Sequence, residues 1–238
     1  MRYRDGYMFA VVLTYLLNFI FVFGAMVLFS VPFVGAFYYH HRVQILEKRP
    51  HFNQFMERFF DSKFSNWLVF SWALSEALFW FIIPEFLLLL LIFMKINRKR
   101  ELLVYDLSGT ALGTVLGLMI ALPTKTVLAM PYIFPGMITA VQGWYEHMGV
   151  WALFNQPFSG VPYKVFLSQF HYFEISVVGF FILAIAVRIG RYAIAYVLLK
   201  TLYPAFHRPV RKHYAILLVV GIAVFTLMLM RISYLYGS

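Results

Sequence analysis

Long apolar runs dominate this sequence and limit what it can fold into. They cover about residues 7–37, 64–94, 102–122, 147–170, 172–190 and 214–232. Several are long enough to cross a bilayer as an α-helix. The chain is 62% hydrophobic and only 13% charged, and a soluble domain with so few charges could not cover its apolar surface. The sequence therefore predicts an all-α polytopic membrane protein.

The basic residues are unevenly distributed between these runs. The stretches 40–63, 95–101 and 188–213 hold 15 of the 20 lysines and arginines, whereas the connection 123–146 holds only Lys125. Short loops rich in Lys and Arg face the cytoplasm, so we expect the three basic stretches on that side. The same rule explains the net charge of +10 without invoking nucleic acid.

The run 64–94 has basic stretches on both sides, which argues against a single crossing. As one straight helix its 31 residues would reach about 46 Å, whereas two full crossings need roughly 40 residues. This intermediate length predicts a re-entrant hairpin with Pro84 near its tip, where protein or a water-lined cavity must surround the broken helix. A single tilted span kinked at the proline is the alternative.

The run 147–170 predicts a second re-entrant hairpin. It contains NQPFSGVPYK, in which Pro157, Gly160 and Pro162 interrupt a helix. With the connection 123–146 outside, this hairpin would enter from the opposite side to the first. Each hairpin precedes a spanning helix, 102–122 or 172–190, so the two units form an inverted repeat, an arrangement that places substrate sites near the membrane midplane.

A regular row of glycines marks the helix 102–122. Within GTALGTVLG, Gly109, Gly113 and Gly117 recur every four residues and therefore share one helix face. Small residues at this spacing predict close packing against another membrane helix.

These features divide the chain into three parts. Residues 1–63 form an N-terminal transmembrane segment and a basic amphipathic loop, 64–200 form the core, and 201–238 form a basic loop and a C-terminal transmembrane helix. The first run leaves two options open. It crosses once, or Gly24, Pro32 and Gly35 break it into a hairpin.

Charged residues inside the apolar runs are the candidate functional residues. A charge near the bilayer centre costs about 2.5–3.5 kcal/mol on insertion scales, and such residues usually mark a function. Glu85 and Lys164 lie near the two predicted tips, so we expect them to face each other if the hairpins meet. A purely structural ion pair is the alternative. For Glu76, a functional acid and a packing role remain equally open.

Two arginines end the predicted helix 172–190. Arg188 and Arg191 have the fork geometry that binds a phosphate, so they are candidates for holding a lipid headgroup. The alternative is that they extend to the interface and only fix orientation. Asp106 and Glu174 lie near predicted helix ends, where we expect them to be interfacial.

The central stretch, about residues 66–200, resembles the DedA or VTT-domain superfamily, and most closely its YqaA-like branch. The resemblance rests on SEALFWFIIPEFLLL, on GTALGTVLG, and on WYEHMGVWALFNQPFSGVPYKVF followed by AVRIGRYAIAYVLL. It implies a fold with two facing re-entrant hairpins. It also implies lipid handling, because relatives are described as lipid scramblases or as ion-coupled carriers of polyprenyl-phosphate lipids.

We therefore expect a transporter or scramblase that moves a phospholipid or polyprenyl-phosphate lipid between leaflets, with or without proton coupling. A bacterial inner (plasma) membrane is the expected location, with membrane lipids and a second copy of the chain as expected partners. A structural or assembly subunit is the alternative. An intramembrane enzyme is the weakest option, because the chain has no cysteine and its histidines lack the spacing of a metal site. No cofactor or metal is expected.

Overall fold

A computed structural model describes residues 2–48, 52–82 and 99–237 of this chain. Within these ranges the chain is helical and contains no strand. Two 3₁₀ helices, Gly149–Asn155 and Phe170–Tyr172, accompany the α-helices. The α-helices are α1 (Arg2–Lys48), α2 (Phe52–Phe60), α3 (Lys63–Leu78), α4 (Lys99–Met119), α5 (Thr124–Leu128), α6 (Pro135–Met148), α7 (Gln156–Ser159), α8 (Tyr163–Gln169) and α9 (Val177–Tyr236).

Among the described residues, four helical segments are long and apolar enough to cross a membrane. They are Ala10–Leu46, Arg100–Met119, Val177–Ala205 and Ile216–Tyr236. Many large apolar side chains on these segments are exposed on the outside of the bundle, as lipid-facing residues are. The chain is therefore an integral membrane protein with transmembrane helices.

The first apolar run is a single helix. α1 continues from Arg2 to Lys48 with Pro32 inside it, so the hairpin alternative for this run is wrong. In a membrane helix, neighbouring groups and local adjustments of the backbone satisfy the carbonyl that a proline leaves without its hydrogen bond, so a proline does not have to end the helix. The ring of Phe21 lies 6.3 Å from that of Tyr132 between centroids, whereas the ring of Phe37 packs against Phe64, so α1 runs the full length of the bundle.

The last two apolar runs belong to α9, which turns back on itself at His213. Within α9 the backbone of His213 departs from helical geometry, at φ −123° and ψ 25°. Arg191 bonds Gln156, and Tyr236 bonds the carbonyl of Ser159 only three residues further along the chain. In a straight helix residues 191 and 236 would be about 68 Å apart.

The two arms of α9 must therefore lie side by side. The basic stretch 200–213, predicted as a loop, is instead helical up to the turn at His213.

Helices α3 and α4 run parallel in close contact. Three contacts occur in the same order along both helices. Asn66 bonds Glu101 at 2.5 Å, Phe70 meets Gly109, and Leu78 meets Gly117. The starts of both helices thus lie at one end of the bundle. This end carries the exposed basic side chains of Arg42, Arg58, Lys63, Arg100 and Lys200, and we call it the basic end.

The parallel arrangement constrains how the chain connects α3 to α4. α3 ends at Leu78, six residues before Pro84, and Phe79 to Ile82 continue without helix. α4 nevertheless begins at Lys99, at the basic end. Pro84 itself lies outside the described residues.

The glycine row on α4 makes this contact close. A Cβ at Gly109 would collide with the backbone carbonyl of Phe70, and a Cβ at Gly113 would lie 2.8 Å from Ala77 Cβ and 2.9 Å from the carbonyl oxygen of Leu74. Backbone atoms cannot move aside as a flexible side chain does, so only glycine fits here.

A second pair of helices, α6 and α8, runs antiparallel. Gln142 bonds Gln169 at 2.8 Å, and the hydroxyl of Tyr145 donates to the carbonyl of Phe166 at 3.1 Å. The sequence placed this unit at 147–170 with a loop before it. Its first arm instead begins at Pro135, which starts α6 because proline suits the first helical turn.

We predict that Gly109→Leu weakens the fold and that Gly35→Leu does not. Both glycines are helical, but Gly35 has nothing within 4 Å of an added Cβ and lies on the exposed face of α1. Overpacking typically costs about 1–3 kcal/mol, and a backbone obstacle cannot relax. Thermal unfolding in detergent should show a clear fall in midpoint for Gly109→Leu only. Equal midpoints for the two variants would contradict close packing of α3 on α4.

A buried charge cluster as the candidate functional site

A buried ion pair joins α3 to the first arm of α9. Arg188 Nη2 lies 2.6 Å from Glu76 Oε2, with only 5% of the arginine and 4% of the glutamate side chain exposed. The other guanidinium nitrogen, Nη1, donates to the hydroxyl of Thr110 at 2.7 Å. Arg188 therefore does not extend to the interface as an orientation signal, and Glu76 is its partner.

A line of buried polar side chains on α4 contacts the pair through Thr110. Asp106, Thr110 and Thr114 follow at four-residue spacing and are all buried. The hydroxyl of Thr114 donates to the carbonyl of Thr110 at 2.8 Å and lies 3.1 Å from the hydroxyl of Tyr163. Because a threonine hydroxyl has a single proton, Tyr163 is the donor to Thr114.

Lys164 brings α8 into the same cluster. Its ammonium donates to the backbone carbonyl of Trp80 at 2.7 Å, and the residue is 1% exposed. Trp80 lies just past the end of α3, where the carbonyl is no longer used by the helix. Glu76 is close enough to act electrostatically on Lys164. The lysine therefore fastens α8 to the segment that follows α3.

The predicted pairing of Lys164 with Glu85 stays a prediction, because Glu85 lies outside the described residues. In the described part of the chain, Lys164 is held by the carbonyl of Trp80 and lies near the Glu76–Arg188 pair. The carbonyl of Trp80 lies four residues before Pro84, the residue expected at the first tip. α8 thus meets α3 near the place where the sequence expected the two hairpins to meet.

The second predicted tip has a turn built from the expected residues. Pro157 lies in the first turn of α7, Gly160 adopts a left-handed φ of 74° at its end, and Pro162 precedes α8 in extended geometry. A left-handed residue after a helix is favourable for glycine because it lacks Cβ. This turn sets the direction in which α8 carries Tyr163 and Lys164 into the cluster.

Arg191 lies outside the buried cluster. It donates to Gln156 Oε1 at 2.9 Å, beside the second tip, and is only partly buried. The two arginines that the sequence grouped together therefore have different surroundings, since Arg188 is enclosed and Arg191 borders an apolar crevice between α7 and α9.

Three members of the cluster were missed by the sequence reasoning, and one was misplaced. Thr110, Thr114 and Tyr163 were not selected, and Asp106 was expected at an interface but is fully buried in α4. A signal was available. In DLSGTALGT, Asp106, Thr110 and Thr114 repeat every four residues, so they form a polar stripe beside the glycine row.

The side chains of the cluster are suited to binding a charged group and to exchanging it for another. It combines the cations Arg188 and Lys164 with the acids Glu76 and Asp106 and with hydroxyl groups. Arginine and lysine are the side chains that bind carboxylate and phosphate oxygens in proteins. Among the described residues no group of three or more histidine, aspartate or glutamate side chains is placed to hold a metal ion.

Comparisons of the chain with protein-family models, with curated proteins and with solved structures give no match. The interpretation of the cluster therefore depends on its own geometry and chemistry.

We predict that Glu76 and Arg188 are energetically coupled. Removing one partner of a buried pair typically costs about 3–5 kcal/mol, whereas replacing both by apolar residues is often neutral. Glu76→Leu and Arg188→Leu should each lower the free energy of unfolding by that order, and the double variant should be more stable than either. Thermal or denaturant unfolding in detergent measures the cycle.

The exposed acid Glu146 on α6 offers a matched control, because Glu146→Leu should change stability little. A double variant that loses the sum of the two single losses would show that Glu76 and Arg188 act independently.

Proposed function

We propose that this protein moves a phospholipid or polyprenyl-phosphate lipid between the two leaflets of its membrane. In this proposal the headgroup passes along the buried charge cluster while the acyl chains stay in the bilayer. The observation that carries the proposal is the enclosure of Glu76, Arg188 and Lys164 where three separate parts of the chain meet.

The first supporting argument concerns the path of the chain. α3 has 16 residues and is about 24 Å long, less than the roughly 30 Å of a bilayer core. α4 starts beside the start of α3, so the chain has to return to the basic end between them. This is the behaviour of a re-entrant hairpin, and we propose that residues 64–94 form one.

The second argument concerns the opposed unit formed by α6 and α8. Its two arms lie side by side, and the turn between them reaches Arg191 on α9. At the other end of this unit, Gln169 bonds Thr124 close to the end of α4 that is far from the basic end. We propose that this hairpin enters from that far side, which completes an inverted repeat.

The third argument is energetic. Charged side chains cost free energy inside a membrane, and membrane proteins retain them mainly along substrate, ion or proton paths. A headgroup phosphate offers Arg188 the same kind of oxygen ligands as Glu76 does. Exchange of the arginine from carboxylate to phosphate would keep the guanidinium paired while the headgroup enters. The released Glu76 carboxylate would then take up a proton to avoid a bare buried charge, and this proton uptake would couple the exchange to protons.

We predict that reconstituted protein speeds lipid exchange between leaflets and that Lys164→Met slows it by about tenfold or more. The substitution removes the charge of a side chain that is 1% exposed while keeping much of its length. Proteoliposomes with fluorescent phospholipid or polyprenyl-phosphate, with and without a proton gradient, give the rate. Tyr163→Phe removes one hydroxyl only and should have a smaller effect.

Lys125→Met is the matched control, because Lys125 is exposed outside the candidate spans. Unfolding midpoints of each variant separate lost transport from lost structure. If the Lys164→Met protein is folded and exchanges lipid at the wild-type rate, the cluster has a structural role and not a transport role. An inert wild type would reject transport by this chain alone and favour the alternative of a structural or assembly subunit.

A further inference from the structure

A crevice lies between the second tip and the first arm of α9. It has a volume of about 400 Å³, and its walls are almost entirely apolar. Phe154, Pro157 and Phe158 form one side, and Val187, Gly190 and Ile194 form the other. Phe158 and Ile194 are strongly exposed, so the crevice opens on the apolar outer surface of the bundle, where lipid chains lie.

One charged residue stands in this wall. Arg191 contributes to the lining and donates to Gln156 Oε1 from Nη1. A guanidinium carries five N–H donors in a planar fork, so it can hold the glutamine and anionic oxygens together. An apolar slot with an arginine at its edge matches a molecule with a hydrocarbon chain and an anionic group.

We propose that this crevice binds a membrane lipid with an anionic phosphate headgroup, with one acyl chain between α7 and α9 and the phosphate at Arg191. A second apolar crevice is a natural comparison. It has a volume of about 640 Å³ and is lined by residues such as Phe21, Gly24 and Trp80, and none of the described residues in its wall is charged. Volume alone would favour the larger crevice as the lipid site. The charge of Arg191 favours the smaller crevice for an anionic lipid.

The position of the crevice relates it to the charge cluster. Arg191 follows Arg188 by three residues, less than one helical turn, and Val187 in the crevice wall directly precedes the arginine of the buried pair. The backbone positions of the two arginines are thus about 5 Å apart along the helix. The crevice is an entry site for the transported lipid, and this part of the inference rests on the proposed function.

Photo-crosslinking tests the binding site separately from transport. The probe is phosphatidylglycerol with a diazirine in its acyl chain, added at a few per cent to phosphatidylcholine nanodiscs that contain the full chain. Mass spectrometry of the peptides then locates the label. We expect labelling of peptides containing 154–158 and 186–198, and a loss of about fivefold or more with Arg191→Gln. Arg191→Lys, which keeps the charge, should lose less.

A steric variant makes the test independent of the arginine. An added Cβ at Gly190 meets nothing within 4 Å, so Gly190→Phe can fill the crevice without a backbone clash and should also abolish labelling there. Gly24→Phe fills the uncharged crevice under the same conditions, since Gly24 also has open space, and should leave this labelling unchanged. A phosphatidylcholine probe should label the crevice less than the anionic one.

If neither Arg191→Gln nor Gly190→Phe reduces labelling of the crevice peptides, the proposed binding site would be overturned. Leaflet exchange measured on the same proteins separates this inference from the proposed function. Transport that persists without crevice labelling rejects the entry site alone. If the crevice is labelled specifically but the protein moves no lipid, the binding site stands and the proposed transport is rejected.

Discussion

The ion pair between Glu76 and Arg188 is the interaction on which the rest of the interior depends. It joins residues 112 positions apart in sequence, and it does so where water cannot solvate either charge. Each charge is tolerable only while the other remains in place. The pair therefore fixes how α3 lies against the first arm of α9. It also explains the polar neighbours, because a guanidinium has donors that one carboxylate does not occupy, and Thr110 accepts one of them.

Close packing of α3 on α4 brings these groups within reach. Gly109 and Gly113 let the two backbones approach until side-chain atoms would collide, so Glu76 on one helix and Thr110 on the other contact the same arginine. Helices separated by larger side chains would be 8–10 Å apart between axes. The glycine row is thus a packing feature with a direct effect on the site, because it sets the distance across which the arginine bonds both helices.

Part of this arrangement follows from sequence patterns, and part does not. Hydropathy and length predict a polytopic helical protein, and the rarity of membrane charges singles out Glu76, Lys164 and Arg188, all of which lie in one cluster. The partners of these residues depend on tertiary contacts, so the bond from Lys164 to the carbonyl of Trp80 has no sequence signal. The helix bounds failed at the basic stretch 200–213, which was predicted as a loop but is helical up to the turn at His213. For the first run the sequence left one crossing and a hairpin open, and the structure decides between them because α1 continues through Pro32.

The opposed entry of the two hairpins is the central claim, and labelling from each side of the membrane tests it most directly. The chain has no cysteine, so single substitutions Lys63→Cys, Arg100→Cys, Lys125→Cys and His171→Cys can each be probed with an impermeant maleimide. All four side chains are exposed. We predict that the cysteines replacing Lys63 and Arg100 react from one side of the membrane. The cysteines replacing Lys125 and His171 should react from the other side. Reaction at Arg100 from the side opposite to Lys63 would mean that the chain crosses the membrane between α3 and α4, which would contradict the re-entrant hairpin.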